Sequence, residues 1–349
     1  MARIALDAMG GDFAPHAPVA GALLALRDLA PEHTIQLVGQ TAVVQLVLDD
    51  FLRSDFADVA ERARSAITIV EAPDTIAMTD RPSVALRSKP DSSMVVGIRR
   101  HAEGLADAFV SAGNTGAQMA ASTFTLGLHA GLTRPAIATI FPSAIQPLIV
   151  LDSGANVDCG AAELVQFARL GAVYAEDMFG RPNPSIGLLS IGEEAEKGNA
   201  VVKEAHKLLR AAPGLNFQGN VEGRDLPAGA SDRGPIDVVV CDGFVGNVIL
   251  KFYEGVAPFI VQLVGRYGGL DQDQLAPALR QLDYSERGGA PLLGVRGVSI
   301  ICHGKSAPRA IKNAILGAAL AVDSHMSDHI GRRLAPPPVA LAGEPEGIA

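Results

Sequence analysis

Short apolar runs recur along the chain, each followed by a turn rich in Gly, Asp, Asn or Ser and then by a stretch of helical period. The runs are Arg3 to Leu6, Thr34 to Val38, Ile67 to Val70, Ala108 to Val110 and Ala136 to Phe141, then Leu148 to Leu151, Ile186 to Leu189, Val238 to Val240 and Val298 to Ile301. Helical patterns fall at about 17–29, 41–52, 92–103, 115–127, 161–178, 198–211, 245–264 and 307–324. Strand and helix in alternation predict a three-layer α/β/α unit, one mostly parallel sheet with helices on both faces. Pro135 and Pro147 precede two of the runs, which places those strands near an edge or delays their start. A helical excursion is expected near residues 258–290. Residues 1–333 read as a single domain and 334–349 as a disordered tail, because APPPVALAGEPEGIA holds three consecutive prolines and no apolar period.

Composition sharpens this picture. Of 349 residues, 48% are hydrophobic but only 5% aromatic, and Trp is absent, so Ala, Val, Leu, Ile and Gly must fill the interior, as in helix-covered parallel sheets. A net charge of −9 argues against nucleic acid as a partner. Cys159, Cys241 and Cys302 lie far apart, without a CxxC, as in a reduced, cytoplasmic protein. The start, MARIALDAMGG, reads as a strand and turn with no signal-peptide core. No uninterrupted apolar stretch reaches the roughly 18 residues that span a bilayer, which predicts a soluble chain.

Ligands of open α/β sheets bind beyond the carboxyl ends of the strands, and the polar turns of this chain concentrate there. They are Asp7-Ala8-Met9-Gly10-Gly11-Asp12, Ser111-Ala112-Gly113-Asn114-Thr115-Gly116 and Asp152-Ser153-Gly154-Ala155-Asn156, with Ser190-Ile191-Gly192-Glu193-Glu194 through Lys197-Gly198-Asn199 and Asp242-Gly243-Phe244-Val245-Gly246-Asn247. Gly lets backbone approach a ligand closely, and the N-terminus of the following helix favours an anion. Five such turns are expected on one margin of one sheet.

Other chemistries find no motif. No GxGxxG follows a strand, and neither GxSxG nor HExxH occurs. His303-Gly304-Lys305-Ser306 ends like a P-loop, but the earlier Gly falls at Ser299, so it is set aside. His325 and His329 are four apart on a late helix and read as a solvated face; no metal site is expected. An anionic substrate acting as its own nucleophile is the chemistry left.

Taken together the turns resemble the phosphate acyltransferase (PlsX) family of bacterial phospholipid synthesis. Arg81-Pro82-Ser83, Ser88-Lys89, Asp91-Ser92-Ser93-Met94 and Arg134-Pro135-Ala136-Ile137 join them, in order from about residue 3 to 325. The resemblance implies a Rossmann-like fold, a homodimer, no cofactor, and the reaction of acyl-[acyl carrier protein] with inorganic phosphate to give acyl phosphate. It also implies peripheral membrane association, because the product would feed a membrane-bound glycerol-3-phosphate acyltransferase.

With that reaction in view, Gly10, Gly11, Gly113, Asn114 and Thr115 are candidates for the phosphate site, with Asp7 and Asp242 counted beside them. Lys197 is the first choice to neutralise phosphate or the oxyanion and Asn247 the second; Asp152 and Asn156 would position them. Phosphate is already ionised at neutral pH and needs no base. An acidic carrier requires a basic patch, for which Arg81, Arg87, Lys89, Arg99, Arg100, Lys203, Lys207 and Arg210 are available. The polar tip GRYGGLDQDQLAP argues against membrane insertion of the excursion, although Val261, Leu263, Val264 and Leu270 offer a small apolar contact. Three other readings stand open: an acyltransferase of phosphotransacetylase type using acyl-CoA, an NAD-dependent decarboxylating dehydrogenase of related topology, and a scaffold that binds acylated carrier protein without chemistry.

Overall fold

The computed structural model describes residues 1–267 and 288–334. Two sheets carry the architecture. The larger has the order β3-β2-β1-β4-β14-β13-β5, and the smaller β6-β7-β12-β8-β9. In the first, β1 (Arg3–Asp7), β2 (Thr34–Gly39), β3 (Ile67–Glu71), β4 (Ala108–Ser111) and β14 (Val298–Ile301) run parallel, while β13 (Ala290–Leu293) is antiparallel to both β14 and β5 (Ala136–Ile137). In the second, β7 (Leu148–Leu151), β8 (Ser185–Leu189), β9 (Asn216–Val221) and β12 (Val238–Val240) are parallel, with β6 (Thr139–Phe141) antiparallel at the edge. β10 (Ala230–Ser231) and β11 (Gly234–Pro235) form a small separate hairpin.

The α/β class follows from the alternation; the single sheet does not. The apolar run Ala136 to Phe141 is one extended segment divided between the sheets: its first part pairs with β13 and its second with β7. Ala138 marks the change, donating its N–H to Pro291 O at 3.1 Å. The segment continues the direction of β14 and lies antiparallel to β7, so the parallel strands of the two sheets run in opposite directions. Their carboxyl ends therefore point toward one another across the shared segment. Pro135 precedes β5, an edge strand as expected, but Pro147 precedes β7, which lies inside the smaller sheet and begins without delay at Leu148, because a proline just ahead of a strand removes no ladder N–H from it.

Helices cover both sheets. α1 (His16–Leu26), α2 (Thr41–Arg53), α3 (Ala60–Ala66), α4 (Pro82–Ser88), α5 (Ser93–Ala102) and α6 (Thr115–Leu126) belong to the first half of the chain; α7 (Ala161–Phe179), α8 (Ala200–Ala211), α9 (Asp225–Ala228), α10 (Gly243–Tyr267), α11 (Pro308–Asp323) and α12 (Met326–Leu334) to the second. One apolar core joins β1, β2, β4 and β14 to β7, β8 and β12 through α1, α7 and α11. Burying Leu or Ile in such a core contributes about 1.5–3 kcal/mol per side chain. α12 is tied to α7 by His329 on Asp177 at 2.9 Å, a pairing that replaces the solvated face expected for that histidine.

α10 is the most apolar of the long helices on the surface. Lys251 and Glu254 interrupt the apolar run but pair with each other at 2.7 Å, and the 25-residue helix is long and apolar enough, by length and composition, to cross a membrane. It lies almost wholly outside the core, with Phe252, Phe259, Ile260, Leu263 and Tyr267 exposed. The expected tip from Gly268, Leu270 within it, and the tail from Ala335 lie outside the described residues.

Candidate active site

Each sheet builds a rim around one buried carboxylate. On the larger sheet Asp7 is 2% exposed. It accepts the hydroxyl of Ser111 at 2.7 Å, the N–H of Met9 at 3.1 Å, the N–H of Gly10 and the hydroxyl of Ser93. Burial raises its pKa above the ordinary carboxylate range, and those hydrogen bonds pull the other way. Gly10 has to be glycine, because a Cβ there would lie 2.5 Å from Asp7 Oδ2 and 2.9 Å from Gly113 N. The N–H of Gly113 is in turn donated to Ser111 Oγ at 2.9 Å.

Asn114 is likewise committed. Its Oδ1 caps α6 by accepting the Ala117 N–H at 3.0 Å, and its Nδ2 donates to the carbonyls of Ala77, Met78 and Asp80 at 3.0–3.3 Å. Asn114 thus holds the loop before α4 over this rim, where Met78 touches Gly304. Thr115 is exposed and Gly11 half-buried. The chain also brings in a turn that was set aside in the sequence: Cys302 N–H donates to Ser111 O at 2.8 Å, and Asp12 N–H to Gly304 O at 2.7 Å. Parallel pairing of β14 with β4, visible only in three dimensions, carries His303–Ser306 to the rim.

On the smaller sheet Asp152 repeats the device. Fully buried, it accepts the N–H groups of Ile137, Gly154, Ala155 and Asn156 at 2.6–3.1 Å and the side-chain amide of Asn156 at 2.9 Å. Burial raises its pKa too. Asn156 also donates to Pro135 O at 2.7 Å, so both residues fold the loop back on the shared segment. Asp242 caps the start of α10 through Val245 N–H at 2.8 Å. A Cβ on Gly246 would lie 1.9 Å from Asp152 O, so glycine alone allows α10 to rest on this loop. Asn247, exposed on the next position, packs beside Gly154.

Lys197 stands on the neighbouring loop after β8. Its stem covers Gly192, its ammonium is exposed, and among the described residues no carboxylate lies within 4 Å of it. Glu193, a rival partner, instead pairs with Arg224 at 3.4 Å. Three contacts from the β9 side fix the loop: Asn220 Nδ2 to Glu194 O at 2.7 Å, Arg233 to Glu193 O at 3.4 Å, and that Arg224 pair. Asn220 is itself fully buried and bonded to His206 Nδ1 at 2.9 Å. Nothing in its local sequence marked it.

The two rims meet at the loop of Asp152, where Ala155 packs against the apolar cluster that holds Met94 and Ala117. Asp7, Gly10, Gly11, Gly113, Asn114 and Thr115 thus gather on one side, and Asp152, Asn156, Asp242 and Asn247 on the other. Lys197 lies beyond them on the smaller sheet, against Gly192 and Glu194 of its own loop. The single margin expected from sequence is two margins facing each other.

Residues 2–329 match the family model described as fatty acid synthesis protein. Over 348 residues the chain is 47% identical to the phosphate acyltransferase of Heliobacterium modesticaldum, covering 96% of this chain and 99% of the relative. Identity to the phosphate acyltransferase of Desulforamulus reducens is also 47%, over 90% and 92% of the two chains. The chain belongs to the phosphate acyltransferase family.

It is therefore an acyltransferase enzyme. The chain shares its fold with EutD phosphotransacetylase from Staphylococcus aureus (TM-score 0.59, 15% identity, 92% of this chain and 94% of that one) and with a phosphotransacetylase from Streptococcus pyogenes (TM-score 0.59, 18% identity, the same coverages). Acyl transfer to phosphate needs an anion site and a stabiliser of the tetrahedral oxyanion. The exposed amide of Asn247 and the ammonium of Lys197 are groups of the right kind, and the buried aspartates serve to hold loops. Among the described residues no cluster of three or more His, Cys, Asp or Glu is arranged for a metal.

Proposed function

We propose that this enzyme transfers an acyl group from acyl-[acyl carrier protein] to inorganic phosphate. A phosphate oxygen bonds to the thioester carbonyl carbon, the C–S bond breaks, and sulfur leaves with the electron pair as the carrier's thiolate. The observation that carries this reading is Lys197. It is an exposed cation without an ion-pair partner within 4 Å among the described residues, on a loop opening at the same strand ends as Asn247. A cation free of carboxylates is available to phosphate or to the developing oxyanion.

The carrier is acidic, and exposed Arg81 and Arg87 at α4 with Lys203 and Arg210 on α8 suit it. Lys89, Arg99 and Lys207 are less available, being paired with Asp80, Asp91 and Glu204. Val248, Phe252, Phe259 and Leu263 recur on α10 at helical spacing and are exposed. That stripe supports a homodimer and a peripheral contact with the cytoplasmic membrane face, where a membrane-bound glycerol-3-phosphate acyltransferase would consume the product in phospholipid synthesis.

The test mixes purified enzyme, acyl-[acyl carrier protein] and labelled phosphate and looks for a hydroxylamine-sensitive labelled product. Release of free carrier without that product would overturn the reading. Turnover with acyl-CoA and none with the carrier would favour the phosphotransacetylase-type alternative, and binding without any turnover the scaffold. Light scattering reads the dimer.

A further inference from the structure

We propose that the His303–Ser306 turn is part of the anion site, with His303 and Lys305 donating to a phosphate-class oxyanion on the rim of the larger sheet. This deepens the proposed function, whose phosphate it would hold. The turn is built for donation. Lys305 N–H donates to His303 Nδ1 at 3.1 Å, so that nitrogen must be an acceptor, and the proton of the neutral imidazole then sits on Nε2. Ser306 N–H closes the turn on His303 O at 2.8 Å. Both side chains are exposed, and among the described residues Lys305 has no carboxylate within 4 Å of its ammonium.

The surroundings lock this turn to the rim rather than leaving it an ordinary surface loop. Gly304 accepts Asp12 N–H at 2.7 Å, a Cβ on Gly11 would lie 3.1 Å from Gly304 O, and Met78 covers Gly304 from the loop that Asn114 holds. Asp12 also brings one acid beside Gly304. With Gly10 and Gly113 spending their N–H groups on Asp7 and Ser111, the rim needs other donors for an anion, and this turn supplies a neutral N–H and a cation.

Two sources share this ligand chemistry: inorganic phosphate, and the phosphate in the prosthetic arm of the carrier. His303→Ala and Lys305→Met are compared with wild type on the full chain. Two donors are used, acyl-[acyl carrier protein] and an acyl-N-acetylcysteamine thioester that lacks phosphate. If the turn holds inorganic phosphate, each variant raises KM for phosphate by about tenfold or more with both donors. If it holds the arm, KM for the carrier-bound donor rises and KM for the short thioester does not. His303→Gln and Lys305→Arg, which keep a donor and a cation, should recover most of the loss. Melting temperature with and without inorganic phosphate reads binding apart from turnover. It still decides the site if wild type makes no acyl phosphate, in which case the functional reading fails separately. Variants whose constants for phosphate and for both donors stay within about twofold of wild type, with the phosphate-induced thermal shift retained, would overturn the proposal.

Discussion

Asp152 accepts the backbone N–H of Ile137 at 3.0 Å, and through that bond the first loop of the smaller sheet is fastened to the last strand of the larger one. Ile137 O accepts Ser153 N–H at 3.0 Å beside it, so the two chain segments are joined in both directions.

Asp152→Ala should therefore cost more than a surface change. It strands the buried N–H groups of Ile137, Gly154, Ala155 and Asn156, and the loss should reach about 3 kcal/mol or more. Urea unfolding of variant and wild type measures it. An unchanged midpoint would show that the loop finds other acceptors.

Asp7 makes a pH prediction. Its folded pKa is raised, chiefly by burial, so between the unfolded value of about 3.9 and the higher folded value the native state binds more protons than the unfolded chain. The favourable contribution is complete below the unfolded pKa and is lost as pH rises through the folded one. Relative to Asp7→Asn, wild type should lose stability as pH climbs from 4 upward. Denaturant midpoints taken across that range check the sign, and parallel curves would refute it.

Lys197 and Asn220 should act as a pair. Lys197→Ala should reduce kcat about a hundredfold or more, with thermal stability close to wild type because the side chain is exposed. Asn220→Ala frees the Glu194 carbonyl from its anchor and should lower kcat about tenfold, but add little in the Lys197→Ala background. A double-mutant cycle in the acyl phosphate assay measures the coupling; simple additivity would mean that Asn220 only supports the fold.

The three thiols should be slow to react. Burial pushes Cys159 and Cys302 up to about 12 and Cys241 well above its ordinary value, so little thiolate exists at pH 8. Thiol titration of native protein should show no fast phase, and all three should appear after unfolding. Rapid native labelling would contradict the burial.

Much of this was legible in the chain itself. Apolar runs and helical periods located β1, β2, β4, β7, β8, β12 and most of the long helices, because period and turn chemistry act over a few residues. The strands β9 and β13 and the short helices α3, α4 and α9 carry weaker local signals and escaped. The family could be read from ordered turns, since each is a contiguous string. What the sequence determined by itself was therefore local: elements, turn residues, and the kinds of group available for phosphate chemistry.

Tertiary structure decided how those pieces face each other. One apolar run, Ala136 to Phe141, serves two sheets of opposite direction, and only its partners β13 and β7 reveal the division. The same holds for Asp7 and Asp152, which hold loops from buried positions, for Asn220 on the Glu194 carbonyl, and for His303–Ser306 beside Asp12. Hydrogen bonds between residues a hundred or more positions apart, such as Ser111 to Asp7, depend on strand order and register, which no short window of sequence contains.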